Sequence, residues 1–190
     1  MTWTVPLFDD VPEPARPDDT APTAAPLEAP TFEVVVRGLP GPQGSKRHVG
    51  NGRMVESSAK VKPWREAVVW SAVQARRAIK GSPTLDGPLA AEMVFCFARP
   101  RGHFGTGRNA GRLRPSAPAR PAVTPDLSKL ARSTEDALTT AAVNADDALI
   151  VEYRRLGKWY VTDHGLVDGV LDGPGCTIRL WRLNRGAVGA

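Results

Sequence analysis

Proline is distributed so unevenly along this chain that it decides which residues can share a core. Seven of the 18 prolines fall within the first 31 residues. Proline fixes φ and lacks a backbone N–H, so a stretch this rich in it joins neither a helix nor a sheet. The remaining residues of the stretch show no helical or alternating apolar pattern. We therefore predict a disordered, acidic, Pro- and Ala-rich tail at residues 1–31 and one folded domain at residues 32–190.

The charge of the chain divides at the same boundary. Residues 1–31 hold six acids and one base, a net charge of −5, so the overall +5 leaves +10 on residues 32–190. A strongly basic domain favours polyanions, with nucleic acid ahead of an anionic membrane surface. A solvated basic face without a partner remains the alternative.

Several protein classes are excluded by features that the chain lacks. It contains no apolar run of membrane length, and its first residues lack the basic and apolar regions of a signal peptide, so we expect a cytoplasmic protein without a membrane partner. The two cysteines, Cys96 and Cys176, form no CxxC motif and have no nearby His pair. They indicate neither a disulfide scaffold nor a zinc site, and we expect both to be buried as small apolar residues.

Apolar periodicity predicts a mixture of strands and helices. Strands are expected at 31–38, 89–98, 148–161 (with an optional turn at Gly157) and 176–183, with a hairpin turning at residues 50–52. Helical spacing is found at 62–80 and 127–142. Because these elements lack a strict βαβ alternation, we predict an α+β fold with two main helices packed on a mixed β-sheet.

A long basic segment separates the second core strand from the second helix. Residues 99–124 contain no acid, are rich in Gly and Pro, and are too long for an ordinary connection. The segment carries six arginines: Arg99, Arg101, Arg108, Arg112, Arg114 and Arg120. Together with Lys46, Arg47 and Lys129, the arginines at 101, 108, 112 and 114 are the residues we expect to bind the DNA backbone.

Acidic residues stand at both ends of the second predicted helix. Asp126 begins it, and Asp146 with Asp147 lies between its end and the next strand. Taken separately, the first could cap the helix and the pair could be solvated. Within a basic domain, however, hard oxygen ligands and nearby cations are what a magnesium-dependent nuclease needs. Arg132 on the same helix could pair with Asp136 at i, i+4, or stabilise charge on a phosphate.

A family resemblance is carried by motifs spread over most of the domain. They are GPQGSKR at 41–47, KPWR at 62–65, RP at 99–100, HFGTGRN at 103–109, PDLSKLAR at 125–132, DAL at 136–138 and DDA at 146–148. In order and spacing they resemble the RusA family of Holliday-junction resolvases, particularly the forms carried by phages and prophages.

The resemblance implies an endonuclease that binds four-way DNA junctions as a homodimer and makes paired, symmetric nicks with Mg²⁺ or Mn²⁺. By position, the metal ligands would be Asp126 and Asp147, with Arg132 in the place of the family's catalytic Lys and Asp146 assisting beside the site. The chain departs from the motif at Ser128, where the family has a second aspartate. Glu135 lies seven residues further on, about 10 Å along a helix, and we do not assign it as the replacement.

Two other functions and one further contact stay open at this point. A non-catalytic branched-DNA-binding protein would keep the fold and the basic surface without cleavage, and a broader flap or fork nuclease would act in phage DNA processing. In the tail, Leu7 and Phe8 close a short apolar cluster followed by two aspartates. The cluster resembles peptides that dock on bacterial sliding clamps, so a clamp contact is a further hypothesis.

Overall fold

The centre of the fold is a four-stranded sheet. The structure is a computed structural model that describes residues 28–44, 46–48, 54–56, 60–79, 81 and 83–183. The strands are β1 (Phe32–Arg37), β2 (Lys46–His48), β3 (Met54–Glu56), β4 (Leu89–Phe97), β5 (Ile150–Tyr160) and β6 (Gly175–Arg182), and the helices are α1 (Val61–Ala78) and α2 (Leu127–Thr140). The predicted α+β fold is confirmed.

The sheet mixes parallel and antiparallel pairing. Its order is β1-β6-β4-β5, in which β6 is antiparallel to both β1 and β4, while β4 and β5 run parallel. The short strands β2 and β3 form a separate antiparallel ribbon, which confirms the predicted hairpin. The turn residues 50–52 lie outside the described part of the chain.

Both helices cover one face of the sheet. Alternate side chains of a strand share a face of the sheet. On the helix-covered face, strand residues such as Val34, Met93, Phe95 and Ile178 are buried in one core. The two helices are also joined to each other, since the buried indole of Trp64 on α1 donates a hydrogen bond of 3.1 Å to the hydroxyl of Thr134 on α2. The main core therefore fixes α2 against the sheet.

The opposite face has a small apolar cluster and a charged network. Val94, Cys96 and Trp159 pack against residues of the segment that follows β5. Towards the other end of β4, Glu92 is 8% exposed, and its carboxylate accepts hydrogen bonds from Arg155 at 2.9 Å and Arg179 at 2.8 Å. A carboxylate this deeply buried requires charged or polar partners, and the two guanidinium groups supply them. Both cysteines are buried, as predicted.

Strand β5 runs without interruption through Gly157, so the optional turn predicted there is wrong. The pairing with β4 instead shifts at two places near the start of both strands, between Leu89 and Ala90 and between Ala91 and Glu92 of β4. Gly157 is required for a different reason, because a Cβ atom at this position would lie 2.5 Å from the ring of Trp159. The glycine leaves room for an indole, which a sequence pattern does not distinguish from a turn.

Contacts between the N-terminal segment and the domain begin before the predicted boundary at residue 32. The indole of Trp181 donates to the carbonyl oxygen of Glu28 at 2.7 Å, and the backbone N–H of Arg182 donates to the hydroxyl of Thr31 at 3.2 Å. Glu28 and Thr31 thus contact β6. Leu7 and Phe8, the residues of the clamp hypothesis, lie outside the described residues. Across the described part of the chain, none of the helices has the length and apolar character to span a membrane.

Candidate functional site

The basic segment between β4 and α2 closes on itself through backbone contacts. The N–H of Gly105 donates to the carbonyl of Arg112 at 2.9 Å, and the N–H of Arg114 donates to the carbonyl of His103 at 2.9 Å. Isolated bridges pair Phe104 with Leu113 and Gly105 with Ala110. The segment is therefore an ordered projection from the sheet, built from local turns.

Three of its arginines hold the segment in place. Arg99 stacks 3.9 Å from the ring centroid of Tyr160 and donates to the carbonyl of Pro118 at 2.8 Å. Arg120 stacks 4.3 Å from the ring centroid of Trp159, and Arg114 donates to the carbonyl of Phe104 at 2.9 Å. The guanidinium groups of these three residues therefore stabilise the segment. Arg114, which we expected to bind the DNA backbone, is one of them.

Three other arginines of the segment project into solvent. The side chains of Arg101, Arg108 and Arg112 are exposed, and within the described residues none of them has an ion pair or a side-chain hydrogen bond. Guanidinium groups in this state can bind phosphates without first breaking a contact. Lys46 and Arg47 lie on β2, in the ribbon that pairs with β3.

Asp126 stands directly before α2, but its side chain does not cap the helix. The residue has extended backbone angles, and its carboxylate forms no capping hydrogen bond. It pairs instead with the ammonium of Lys129 at 3.0 Å, and both side chains are about half exposed. The carboxylate oxygens thus accept no hydrogen bond from the N–H groups of the helix. The ammonium of Lys129 lies partly in solvent and partly against Asp126.

The acidic pair that follows α2 is held in a short turn of 3₁₀ helix at residues 147–149. The carboxylate of Asp146 accepts the N–H of Ala148 at 2.8 Å, so this aspartate caps the turn. The buried amide of Asn144 donates to the carbonyl of Asp146 at 2.7 Å and to the hydroxyl of Thr139 at 3.1 Å. Asp147 begins the turn with an exposed side chain. The backbone that carries Asp147 is consequently tied to the end of α2.

Glu135 connects α2 to this acidic turn. Burial is the main cause that raises the pKa of Glu135 above its usual value, with further contributions from the charges of Asp147 and Asp136, while Arg132 acts in the opposite direction. The hydroxyl of Tyr153 on β5 donates a hydrogen bond to its carboxylate. Glu135, Arg132 and Asp147 therefore lie within electrostatic reach of one another.

Glu135 is far from Ser128 along the helix axis, but helix geometry brings it to the same side of α2. Ser128, Arg132 and Glu135 are spaced i, i+4 and i+7, so their side chains share one stripe of the helix. Distance along the axis alone does not reveal this shared stripe. The alternative pairing of Arg132 with Asp136 is wrong, because Asp136 pairs with Arg65 on α1 at 3.4 Å and Arg132 is exposed.

The predicted ligand positions are exposed at the surface rather than enclosed. Among the described residues, no group of three or more His, Cys, Asp or Glu side chains is arranged to hold a metal ion. A groove of about 650 Å³ is lined mostly by α1, including Trp70 and Val73, and by none of the candidate site residues. An open site of this kind suits a large substrate better than a small molecule.

The α+β domain, its exposed carboxylates and its basic projection agree with a nucleic-acid-processing protein. Residues 38–166, more than half of the chain, match the family model described as endodeoxyribonuclease RusA. The chain therefore belongs to the RusA family of endodeoxyribonucleases. No curated protein matches the chain.

Proposed function

We propose that this protein is a metal-dependent, structure-specific endodeoxyribonuclease that resolves four-way (Holliday) DNA junctions by paired, symmetric nicks in the cytoplasm. The observation that carries the proposal is the family match over residues 38–166, which includes both Asp126 and the acidic turn. The exposed arginines at 101, 108 and 112 supply the positive surface that a branched polyanion requires.

The donor set fits a hard divalent cation. Mg²⁺ keeps several of its waters and is bound by one or two carboxylates together with substrate phosphates, so a preformed three-residue cluster is not required. Asp126 and Asp147 would hold the ion, and Mn²⁺ takes the same oxygen ligands. When bound, the ion supplies an activated water and charge stabilisation at the phosphate.

The other residues of the site act on the substrate or on the ligands. Arg132 is exposed on the stripe of α2 that also carries Ser128, where its guanidinium can neutralise charge on the scissile phosphate. Asp146 fixes the turn that presents Asp147. Lys129, Lys46, Arg47 and the exposed arginines would bind DNA phosphates and so orient the duplex arms.

A second function is favoured by one specific observation. Ser128 leaves the site with one carboxylate fewer than the family motif, and Lys129 neutralises Asp126. A protein that binds branched DNA without cutting it would have the same surface and the same charge. A broader nuclease that cuts flaps or forks is distinguished from a resolvase only by the symmetry of its cuts.

A labelled four-way junction separates these functions in one experiment. The junction is incubated with the protein in Mg²⁺, in Mn²⁺ and in EDTA, and the products are separated on a denaturing gel. We expect two nicks at symmetric positions in the metal-containing samples and intact, bound junction in EDTA. Binding without nicks in either metal would establish the non-catalytic function, and asymmetric cuts or cuts in flaps would establish the broader nuclease.

Asp126→Asn and Asp147→Asn assign the ligands in the same assay. Either change should abolish nicking and preserve junction binding, because it removes a carboxylate from the metal site and leaves the phosphate contacts intact. Loss of binding together with nicking would show damage to the fold instead. Nicking that persists in either variant would exclude that aspartate as a ligand.

Paired nicks also require two sites in the complex, so we propose a homodimer. The chain has a mass of 20.4 kDa. Sedimentation at micromolar concentration should give twice this mass, whereas a purely monomeric species would contradict the assembly.

A further inference from the structure

Lys158 on β5 attaches the sheet to the residues that lead into α2. Its ammonium donates to the carbonyl oxygens of Val123 at 2.6 Å and Pro125 at 3.0 Å. Pro125 is the residue directly before Asp126. The backbone that enters Asp126 is therefore held by a side chain that comes from the sheet.

The backbone of Lys158 holds the same segment a second time. Its carbonyl oxygen accepts from the guanidinium of Arg120 at 3.3 Å, and this guanidinium stacks on the ring of the neighbouring Trp159. Between the two attachments Pro121 is buried. Residues 120–125 are thus fixed at both ends to one position of β5.

The carboxylate of Asp126 is not oriented by a capping hydrogen bond. A capping aspartate is oriented by the N–H groups of its own helix, but the carboxylate of Asp126 makes no such bond. Its partner Lys129 is half exposed and carries a long, rotatable side chain. The carbonyl of Asp126 accepts the N–H of Leu130 at 3.1 Å, so the remaining fixed point of its backbone is the segment that leads into it.

The charge of Lys158 is unusual for its position. The side chain is half-buried, and within the described residues no carboxylate lies within ion-pair distance of its ammonium. Two of the three ammonium N–H groups are directed at carbonyl oxygens. An apolar side chain would pack at this position without the cost of desolvating a charge, so packing alone does not account for a lysine.

We propose that Lys158 is a positioning residue for Asp126, which orients this carboxylate towards the metal ion by fixing the carbonyl groups of Val123 and Pro125. The inference rests on the proposed function of the site. It assigns Lys158 an effect on metal capture and on the cleavage step, with little effect on the affinity for DNA.

The test compares Lys158→Met and Lys158→Arg with wild type and with Lys62→Met. Lys62 is exposed on α1 and pairs only with Glu66 among the described residues, so its replacement removes one positive charge without touching the contacts of Lys158. Four quantities are measured: the melting temperature, junction affinity in EDTA, the single-turnover nicking rate, and the Mn²⁺ dissociation constant in the absence of DNA by electron paramagnetic resonance.

We expect Lys158→Met to raise the Mn²⁺ dissociation constant at least threefold and to slow single-turnover nicking at least tenfold, with junction affinity within twofold of Lys62→Met. Removal of a positive charge by itself would tighten Mn²⁺ binding, so the direction of this change separates positioning from simple electrostatics. Lys158→Arg, which can donate to both carbonyl oxygens, should restore both quantities to within threefold.

Tighter or unchanged Mn²⁺ binding in Lys158→Met would overturn the inference, as would a loss confined to junction affinity. If this variant does not fold, Lys158→Gln takes its place, because the shorter amide keeps a polar end but reaches the two carbonyl oxygens poorly. The same weakening of Mn²⁺ binding is expected. A wild-type protein that neither binds Mn²⁺ nor nicks the junction would contradict the proposed function itself, whereas normal wild-type activity matched by Lys158→Met would contradict only the positioning role.

Discussion

Ser128 occupies the position at which the proposed site has one carboxylate fewer than the family motif implies. It is exposed, and it shares the stripe of α2 that carries Arg132 and Glu135. The family motif and the observed helix phase therefore agree that a side chain at 128 faces the same side as Arg132. The sequence was sufficient to identify this departure, because motif position alone defines it.

Ser128→Asp should lower the metal concentration needed for half-maximal nicking. An additional carboxylate near a surface cation contributes on the order of 1 kcal/mol, which corresponds to about fivefold in concentration. Ser128→Asn is the matched control, because asparagine is nearly the same size as aspartate and has no charge. It should leave the metal concentration for half-maximal nicking unchanged. A midpoint that stays constant or rises in a Mn²⁺ titration of Ser128→Asp would mean that position 128 does not face the ion.

Glu135 has a pH dependence that can be worked out from its surroundings. Burial, Asp147 and Asp136 raise its pKa in the folded state, so folding disfavours its charged form. The free energy of unfolding therefore falls as the pH rises from the unfolded pKa, about 4.3, through the folded value. The destabilisation is complete above both values and absent below them.

Glu135→Gln should consequently be more stable than wild type at pH 7.5 and equal to it near pH 4. The amide oxygen of Gln can still accept the hydrogen bond from Tyr153. Urea unfolding in EDTA at the two pH values measures the difference, with Glu152→Gln, at an exposed position of β5, measured in parallel as the control. A stability difference that is the same at both pH values would contradict the assignment of the raised pKa.

At the scale of elements, the end of α2 shows a feature that the sequence pattern does not reveal. Ala142 has φ 55°, the left-handed conformation in which glycine is usual. The N–H of Val143 donates to the carbonyl of Leu138 at 3.0 Å and that of Ala142 to Thr139 at 2.9 Å, so the helix closes with a Schellman motif. An alanine gives no signal for this ending, and periodicity extended the predicted helix to residue 142.

Ala142→Gly is therefore expected to stabilise the protein by roughly 0.5–1 kcal/mol. Glycine relieves the strain of the left-handed conformation, and the relief exceeds the entropy that glycine adds to the unfolded chain. Ala145→Gly, three residues further on and without a positive φ, should destabilise instead. Urea unfolding of both variants provides the measurement, and a destabilised Ala142→Gly would show that the helix ends differently in solution.

Most elements were predictable because each is decided by local periodicity. The core strand β4 is apolar nearly throughout, and both helices carry apolar residues at helical spacing. What escaped prediction depends on contacts that periodicity does not encode. The ring of Trp159 over Gly157, the attachment of Val123 and Pro125 to Lys158, and the hydrogen bond from Tyr153 to Glu135 leave no periodic trace in the sequence.

For the whole molecule, the boundary of the N-terminal tail can be tested by two truncations. A chain that starts at Glu28 should keep its melting temperature, because it retains the acceptors for Trp181 and Arg182. A chain that starts at Phe32 loses both hydrogen bonds, about 2 kcal/mol in total, and should melt roughly 4–8 °C lower. Both should nick at the wild-type rate, and a lower melting temperature for the longer of the two chains would show that the contacts of Glu28 and Thr31 do not stabilise the domain.

The salt dependence of junction affinity reports how many basic residues contact DNA phosphates, and residues 32–190 have a net charge of +10. Each phosphate that a Lys or Arg neutralises releases counterions, so a plot of log affinity against log salt has a slope of about −0.9 per contact on duplex arms. With at least five basic residues on the DNA, the slope for junction binding in EDTA should be steeper than about −4.

Replacing both Arg108 and Arg112 by Ala should make the slope shallower by about 2, because their exposed side chains have no other partner among the described residues. Lys62→Ala removes a charge from α1 and should leave the slope unchanged. A slope near zero for the wild-type protein would mean that its positive charge is a solvated surface and that the basic segment does not bind DNA.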